Sequence, residues 1–231
     1  MKNKYALLIG VFLLIVFFIF SRQVKKGFLK QTDFAFTVKL QERIDSSSKL
    51  RLKVLIGDVM EGSTFFASPE FSIIIIGVLT LVSTYNWKKK KIIWSSLCIP
   101  VFFGLLILGE IYGKNVVHHP SPPFFMIKNP TTIFPKYYIN ESFSYPSGHA
   151  ARAIFLCMAF YSVIILQKTY LKRKFQKIAL ISILCGYTIL VSLSRIYLGH
   201  HWLSDILGGG LLGLGFGLLT LAVNSLIIDK Q

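Results

Sequence analysis

Acidic residues are scarce in this chain: ten Asp and Glu stand against 26 Lys and Arg, for a formal net charge of +16. Nowhere do carboxylates gather into a set that could hold a divalent cation. Cysteine is scarcer still, and Cys98, Cys157 and Cys185 each lie inside an apolar block. An odd count without metal-ligand spacing excludes a disulfide framework and a zinc site, and leaves small core residues. The chain has no HExxH, no GxxxxGK followed by Ser or Thr, and no CxxC. Its chemistry must therefore come from His, Lys, Arg, Asp and backbone groups. A small-residue cleavage site is also missing after the first apolar run, which leaves through Phe18-Ile19-Phe20-Ser21-Arg22. That run reads as a retained signal-anchor helix.

What the chain has in abundance is apolar length. Hydrophobic residues make up 53% of its 231 positions and fall in long blocks, which excludes an ordinary soluble domain and predicts an all-α, polytopic membrane protein. The basic residues lie between those blocks, a pattern that suits topology signals and anionic lipid head groups, not nucleic acid. The first block, Tyr5 to Phe20, follows two lysines. Ser21 to Ser63 then mixes charges with Phe34, Phe36, Val38, Leu40 and Ile44, and later Leu50, Leu52, Val54, Leu55 and Val59. It reads as an amphipathic segment along the membrane surface, broken at Ser46-Ser47-Ser48, or else as a solvated linker.

Further spans are expected over Pro69 to Trp87, Ile92 to Gly113, His149 to Leu166, Ile178 to Leu193 and Ile206 to Ile228. The second of these is interrupted by Pro100 and carries Glu110. The result is a six-transmembrane-helix bundle: residues 1–63 form the anchor and interfacial segment, and residues 64–231 a core with five further spans. Gly208, Gly209, Gly210, Gly213, Gly215 and Gly217 give the last span a small face for helix packing. The basic turns Lys88 to Lys91 and Lys168 to Lys177 belong in the cytoplasm by the positive-inside rule. The Pro- and aromatic-rich loop Lys114 to Ser147 and the stretch after Ser194 then emerge together on the extracytoplasmic face of the plasma membrane.

Two polar clusters stand at that face. One runs Ser194-Arg195-Ile196-Tyr197-Leu198-Gly199-His200-His201-Trp202-Leu203-Ser204-Asp205 between two apolar blocks, at a depth where ionisable groups are costly unless they line a cavity or a protein interior. His201 and Asp205 are four apart, so on a helix they share one face. The carboxylate can then hold one imidazole nitrogen and leave the other to attack an electrophile. Arg195 offers a guanidinium fork suited to phosphate oxygens. The other cluster, Tyr145 to Arg152, opens a span. Ser147 is typed as an N-cap, Gly148 lets a ligand reach the backbone, and such a helix start attracts anions. His149 stands in the first turn, where an acid could protonate a leaving oxygen. Lys114 is a further cation at the same level, or a snorkelling anchor.

Taken together, these motifs resemble the type 2 phosphatidic acid phosphatase superfamily, the membrane branch that shares an active-site design with bacterial acid phosphatases and vanadium haloperoxidases. The family pattern is a Lys followed after six residues by Arg-Pro, then Pro-Ser-Gly-His, then Ser-Arg, five residues, His, three residues and Asp. Pro146 to His149 match the second part, and Ser194, Arg195, His201 and Asp205 the third. The likeness covers Pro69 to Ile228. The first part departs from the pattern, because Lys114 is followed by Ser121-Pro122 in place of Arg-Pro. One charge-assisted hydrogen bond is worth about 1.5 to 3 kcal/mol, so its loss need not abolish activity. Arg152, one turn after His149, is the expected substitute cation, with His118, His119 and Lys128 as further candidates.

The resemblance implies an integral membrane lipid phosphatase without cofactor or metal. In that scheme His201 attacks phosphorus while Asp205 holds its ring, and His149 protonates the departing lipid oxygen and then activates water. Lys114, Arg195, Ser147 and the Gly148 N–H orient the phosphoryl oxygens. The implied partners are the bilayer and a lipid phosphate; family members act on undecaprenyl diphosphate, phosphatidylglycerophosphate, phosphatidate and diacylglycerol pyrophosphate. A non-catalytic phospholipid-binding protein that keeps the pocket, and a lipid phosphotransferase, are the competing readings.

Overall fold

The structure, a computed structural model, describes residues 2–46, 50–86, 91–128, 142–166 and 174–228. Helix α1 spans Lys2–Lys25, α2 Lys30–Asp45, α3 Leu50–Thr64, α4 Pro69–Thr84, α5 Cys98–Val117, α6 Gly148–Leu166, α7 Lys174–Tyr197 and α8 Leu203–Ile228. Apart from a two-residue antiparallel ribbon, Tyr85–Asn86 with Lys91–Ile92, the regular structure is helical, as the apolar blocks predict. Most of the Lys88 to Lys91 and Lys168 to Lys177 turns, the 129–141 part of the long loop and Ser47–Ser48 lie outside the described residues.

Among the described residues, α1, α5, α7 and α8 are each long and apolar enough to cross a membrane. Helices α3 and α4 make a fifth candidate span, bent by 52°. The bend follows from Ser68 and Pro69: Pro69 cannot continue α3, and the Ser68 hydroxyl accepts the Phe71 N–H at 3.3 Å to start α4. Helix α6 is apolar but shorter, so four or five candidate spans stand where six are expected.

Several boundaries differ from the sequence reading for identifiable reasons. Helix α1 continues beyond Phe20, and Ser21 is buried there, its hydroxyl 2.7 Å from the Phe17 carbonyl and 2.9 Å from the Tyr145 hydroxyl. Pro100 does not interrupt its span. It lies in the first turn of α5, where an N–H has no intrahelical partner to lose. Helix α7 runs on to Tyr197, which brings Ser194 and Arg195 into the helix.

Helix α8 lies between α1 and α6 because its glycines admit both neighbours. A Cβ at Gly213 would stand 2.5 Å from the Ala151 carbonyl oxygen of α6, and one at Gly215 would stand 2.6 Å from Leu14 Cδ2 of α1. The surrounding core holds Phe17, Ile99, Leu106, Phe155, Ala159 and Leu212. Leu8, Phe12, Ile73, Ile74, Leu81, Leu108 and Ile183 are exposed on the outer helices, the arrangement of a multi-pass protein whose outer face meets acyl chains. Helix α2 packs across the ends of α7 and α8. It buries Asp33 and Thr37 and exposes Phe34 and Phe36, so its inward face is the polar one.

Candidate active site

The α7 C-terminus sets the position of His201. Gly199 takes a φ of 71°, which reverses the chain. The N–H groups of His200 and His201 then donate to the Arg195 carbonyl at 3.1 and 3.2 Å, folding His201 back over Arg195. His201 therefore lies in the turn before α8, while Asp205 lies in that helix's first turn. Their pairing does not come from a shared helix face. Asp205 Oδ2 accepts the Trp202 N–H at 2.9 Å, the reciprocal half of a capping box, and this turns the carboxylate towards His201 Nδ1 at 3.5 Å.

The second cluster closes against the first through the backbone. The Ser147 N–H donates to the Asp205 carbonyl at 2.9 Å, while its hydroxyl caps α6 by accepting the Ala150 N–H at 3.5 Å. His149 in the first turn lies within electrostatic reach of Arg195, Arg152 and His201. Lys114, buried at the end of α5, donates to the Phe143 and Ser144 carbonyls at 3.2 and 3.5 Å, which ties that helix to the segment leading into Ser147. The structure thus brings Lys114, Ser147, Gly148, His149, Arg195, His201 and Asp205 into one neighbourhood.

Electrostatics in this neighbourhood favour a neutral His201 beside cations. Burial pushes the His201 ring down to about 4; Arg195 and Lys114 push the same way, and Asp205 opposes them. Among the described residues, Arg195 Nε is a buried donor with no hydrogen-bond partner. Buried donors are rarely left so, and a guanidinium poised like this suits an incoming oxyanion.

The expected substitutes for the missing arginine each face an acid or the surface. Arg152 Nη1 meets Glu110 Oε2 at 2.5 Å, and its Nε donates to the Ala67 carbonyl at 2.9 Å. Lys128 pairs with Asp45. His118 caps α5 in the left-handed region at φ 54° and lies exposed against Phe143. His119 Nδ1 stands 2.9 Å from Asp205 Oδ1.

Two acids escaped the sequence reading of the site. Glu110 packs on Gly148, where any Cβ would strike its carboxylate, and so joins the α6 start to Arg152. An acid inside an apolar block was the available signal for it. Asp33 of α2 accepts the Ser204 N–H and hydroxyl at 2.8 Å each, capping α8 from 171 residues away. Burial raises the Asp33 carboxyl, and the Ser204 bonds pull it back. No local signal marks such a partner.

This cradle, in an α-helical membrane bundle, has the residue set of a phosphate-handling membrane enzyme. Residues 89–228 match the PAP2 superfamily, and the chain belongs to it; its members are phosphatases. Phosphatidylglycerophosphatase B of Bacillus subtilis (strain 168) is 25% identical over 173 residues, which cover 75% of this chain and 77% of that protein. The fold is similar to the crystal structure of a transmembrane PAP2-type phosphatidylglycerolphosphate phosphatase from Bacillus subtilis. The TM-score is 0.67 at 23% identity, covering 91% of this chain and 93% of the other. Aquifex aeolicus LpxE gives a TM-score of 0.49 at 21% identity, over 82% of this chain and 96% of that one.

Proposed function

We propose that this chain hydrolyses a phosphomonoester or diphosphate of a lipid through a phosphohistidine on His201, without a metal. The observation that carries the reading is the buried Arg195 Nε, without a hydrogen-bond partner among the described residues, beside the His201 imidazole in a chain of a phosphatase family. With Asp205 at Nδ1, His201 Nε2 attacks phosphorus and the phosphorus–oxygen bond to the lipid breaks. His149, as the imidazolium that the bound phosphate anion would favour, delivers a proton to the departing oxygen and, left neutral, accepts one from the water that releases phosphate from the histidine. Lys114, Arg195, Ser147 and the Gly148 N–H neutralise the equatorial oxygens, where charge spreads in the transition state. Arg152 backs this cradle with a positive charge that Glu110 partly offsets. Among the described residues, no group of three or more His, Cys, Asp or Glu is arranged to hold a metal ion.

The site is assigned to the extracytoplasmic face of the plasma membrane, in a bundle of six spans with residues 1–63 as anchor and interfacial segment and 64–231 as the core. The substrate diffuses in from the leaflet. The name of the Bacillus subtilis relative puts phosphatidylglycerophosphate first among candidates, followed by undecaprenyl diphosphate and phosphatidate.

The test is phosphate release by purified protein in detergent from a panel of these lipids, with EDTA present. The wild type should release phosphate and His201→Ala should not. A requirement for added magnesium, or equal turnover by His201→Ala, contradicts the proposal. Tight lipid binding without release would favour a carrier.

A further inference from the structure

We infer that His119 is a positioning residue for the proposed phosphoryl transfer, its Nδ1–H fixing Asp205 so that the second carboxylate oxygen faces the His201 nucleophile. The inference rests on the phosphatase reading above. The side chain of Asp205 is fully buried and divides its oxygens cleanly. Oδ1 lies 2.9 Å from His119 Nδ1, while Oδ2 accepts the Trp202 N–H at 2.9 Å and stands 3.5 Å from His201 Nδ1. A carboxylate gripped at one oxygen cannot rotate away from the imidazole it must orient. Take the grip away and Oδ1 becomes a buried acceptor short of a donor, free to draw the group out of register.

His119 is itself held from several sides. It follows the left-handed turn at His118, its carbonyl accepts the Ser144 N–H at 2.9 Å, and its Nε2 lies 3.9 Å from Asp33 Oδ2. Asp33 is anchored in turn by the N–H and hydroxyl of Ser204, one residue before Asp205. Asp33, His119, Asp205 and His201 thus form an alternating row of carboxylate and imidazole that joins α2, the loop after α5, the start of α8 and the α7–α8 turn. The loop that carries Ser121 in place of a phosphate-binding arginine keeps an imidazole two residues earlier, and this ring faces the nucleophile's carboxylate.

The test compares His119→Ala and His119→Asn in the full-length protein, because an Asn amide can present an N–H near the position of imidazole Nδ1. His119→Ala should lower kcat by roughly tenfold to a hundredfold with KM changed by no more than about twofold, and His119→Asn should recover most of that loss. The inference is overturned if His119→Ala keeps its kcat, if the loss appears in KM alone, or if a folded His119→Asn is as slow as the alanine variant. Where a variant does not fold, NMR of 15N-histidine-labelled wild type decides. An exchange-protected proton on His119 Nδ1 supports the inference, and a deprotonated Nδ1 overturns it whatever the activity. Wild-type protein that releases phosphate from no lipid in the panel sinks the phosphatase reading instead, a result distinct from either.

Discussion

Burial, more than any single neighbour, sets the state of His201. With its ring held down to about 4, the imidazole is neutral at pH 7 and keeps a lone pair, as the proposed attack on phosphorus requires. The sign for stability follows directly. Between the ordinary value of 6.5 and about 4, the unfolded chain binds a proton that the folded chain refuses. The contribution of this group is therefore fully present above 6.5 and is lost as pH falls through that window. A ring titration by NMR should show His201 unprotonated until about pH 4; a midpoint at 6.5 or above would contradict the burial described. The motif residues were legible because their spacing survives in the chain itself. The reason for the His201–Asp205 pairing was not, since a capping box in the first turn of α8, and not a common helix face, brings them together. Glu110 and Arg152 lie 42 residues apart, and Asp33 and Ser204 171 apart, so sequence alone could not reveal their contacts.

At the scale of elements, α8 is the piece on which the site is hung. It carries Asp205 in its first turn, and its backbone receives Ser147 of the α6 cap. Gly213 lets α6 come that close, so Gly213→Val should force the two helices apart at a cost of about 1 to 3 kcal/mol. Thermal unfolding in detergent should register the loss as a lower Tm, together with weakened phosphate release as the Ser147 and Asp205 clusters separate. An unchanged Tm would mean that α6 does not seat on α8 as described. The glycine face was readable as a packing surface from its pattern. Helix α2 was not readable in the same way. Its apolar residues marked an amphipathic segment, yet the face it buries carries Asp33 and Thr37, while Phe34 and Phe36 point outward. In a membrane protein a polar face can be the inner one when it meets a polar site, and α2 also clasps that end of the molecule. Gln41 donates to the Met126 and Tyr197 carbonyls at 2.8 and 2.9 Å.

Across the whole molecule, three fragments distant in sequence meet at one end of the bundle: the end of α5 with Lys114, the start of α6 with Ser147 to His149, and the last turn of α7 with the turn that follows it, carrying Arg195 and His201. The long apolar helices could be seen as blocks in the sequence, and four or five of them have the length and composition to span a bilayer. The bend between α3 and α4 and the shortness of α6 were hidden, because apolar length alone does not say where a helix breaks. Convergence of basic and imidazole groups on one buried neighbourhood gives the chain a place where phosphate charge can be met without bulk water. The proposed step is that His201 takes the phosphoryl group itself. It is tested most directly by quenching turnover of a 32P-labelled lipid phosphate in alkali, where phosphohistidine persists, and locating the label on the protein. Base-stable, acid-labile label is expected on His201 in the wild type and none in His201→Ala; turnover with no label on any histidine, or with label unaffected by that substitution, would contradict the proposed step.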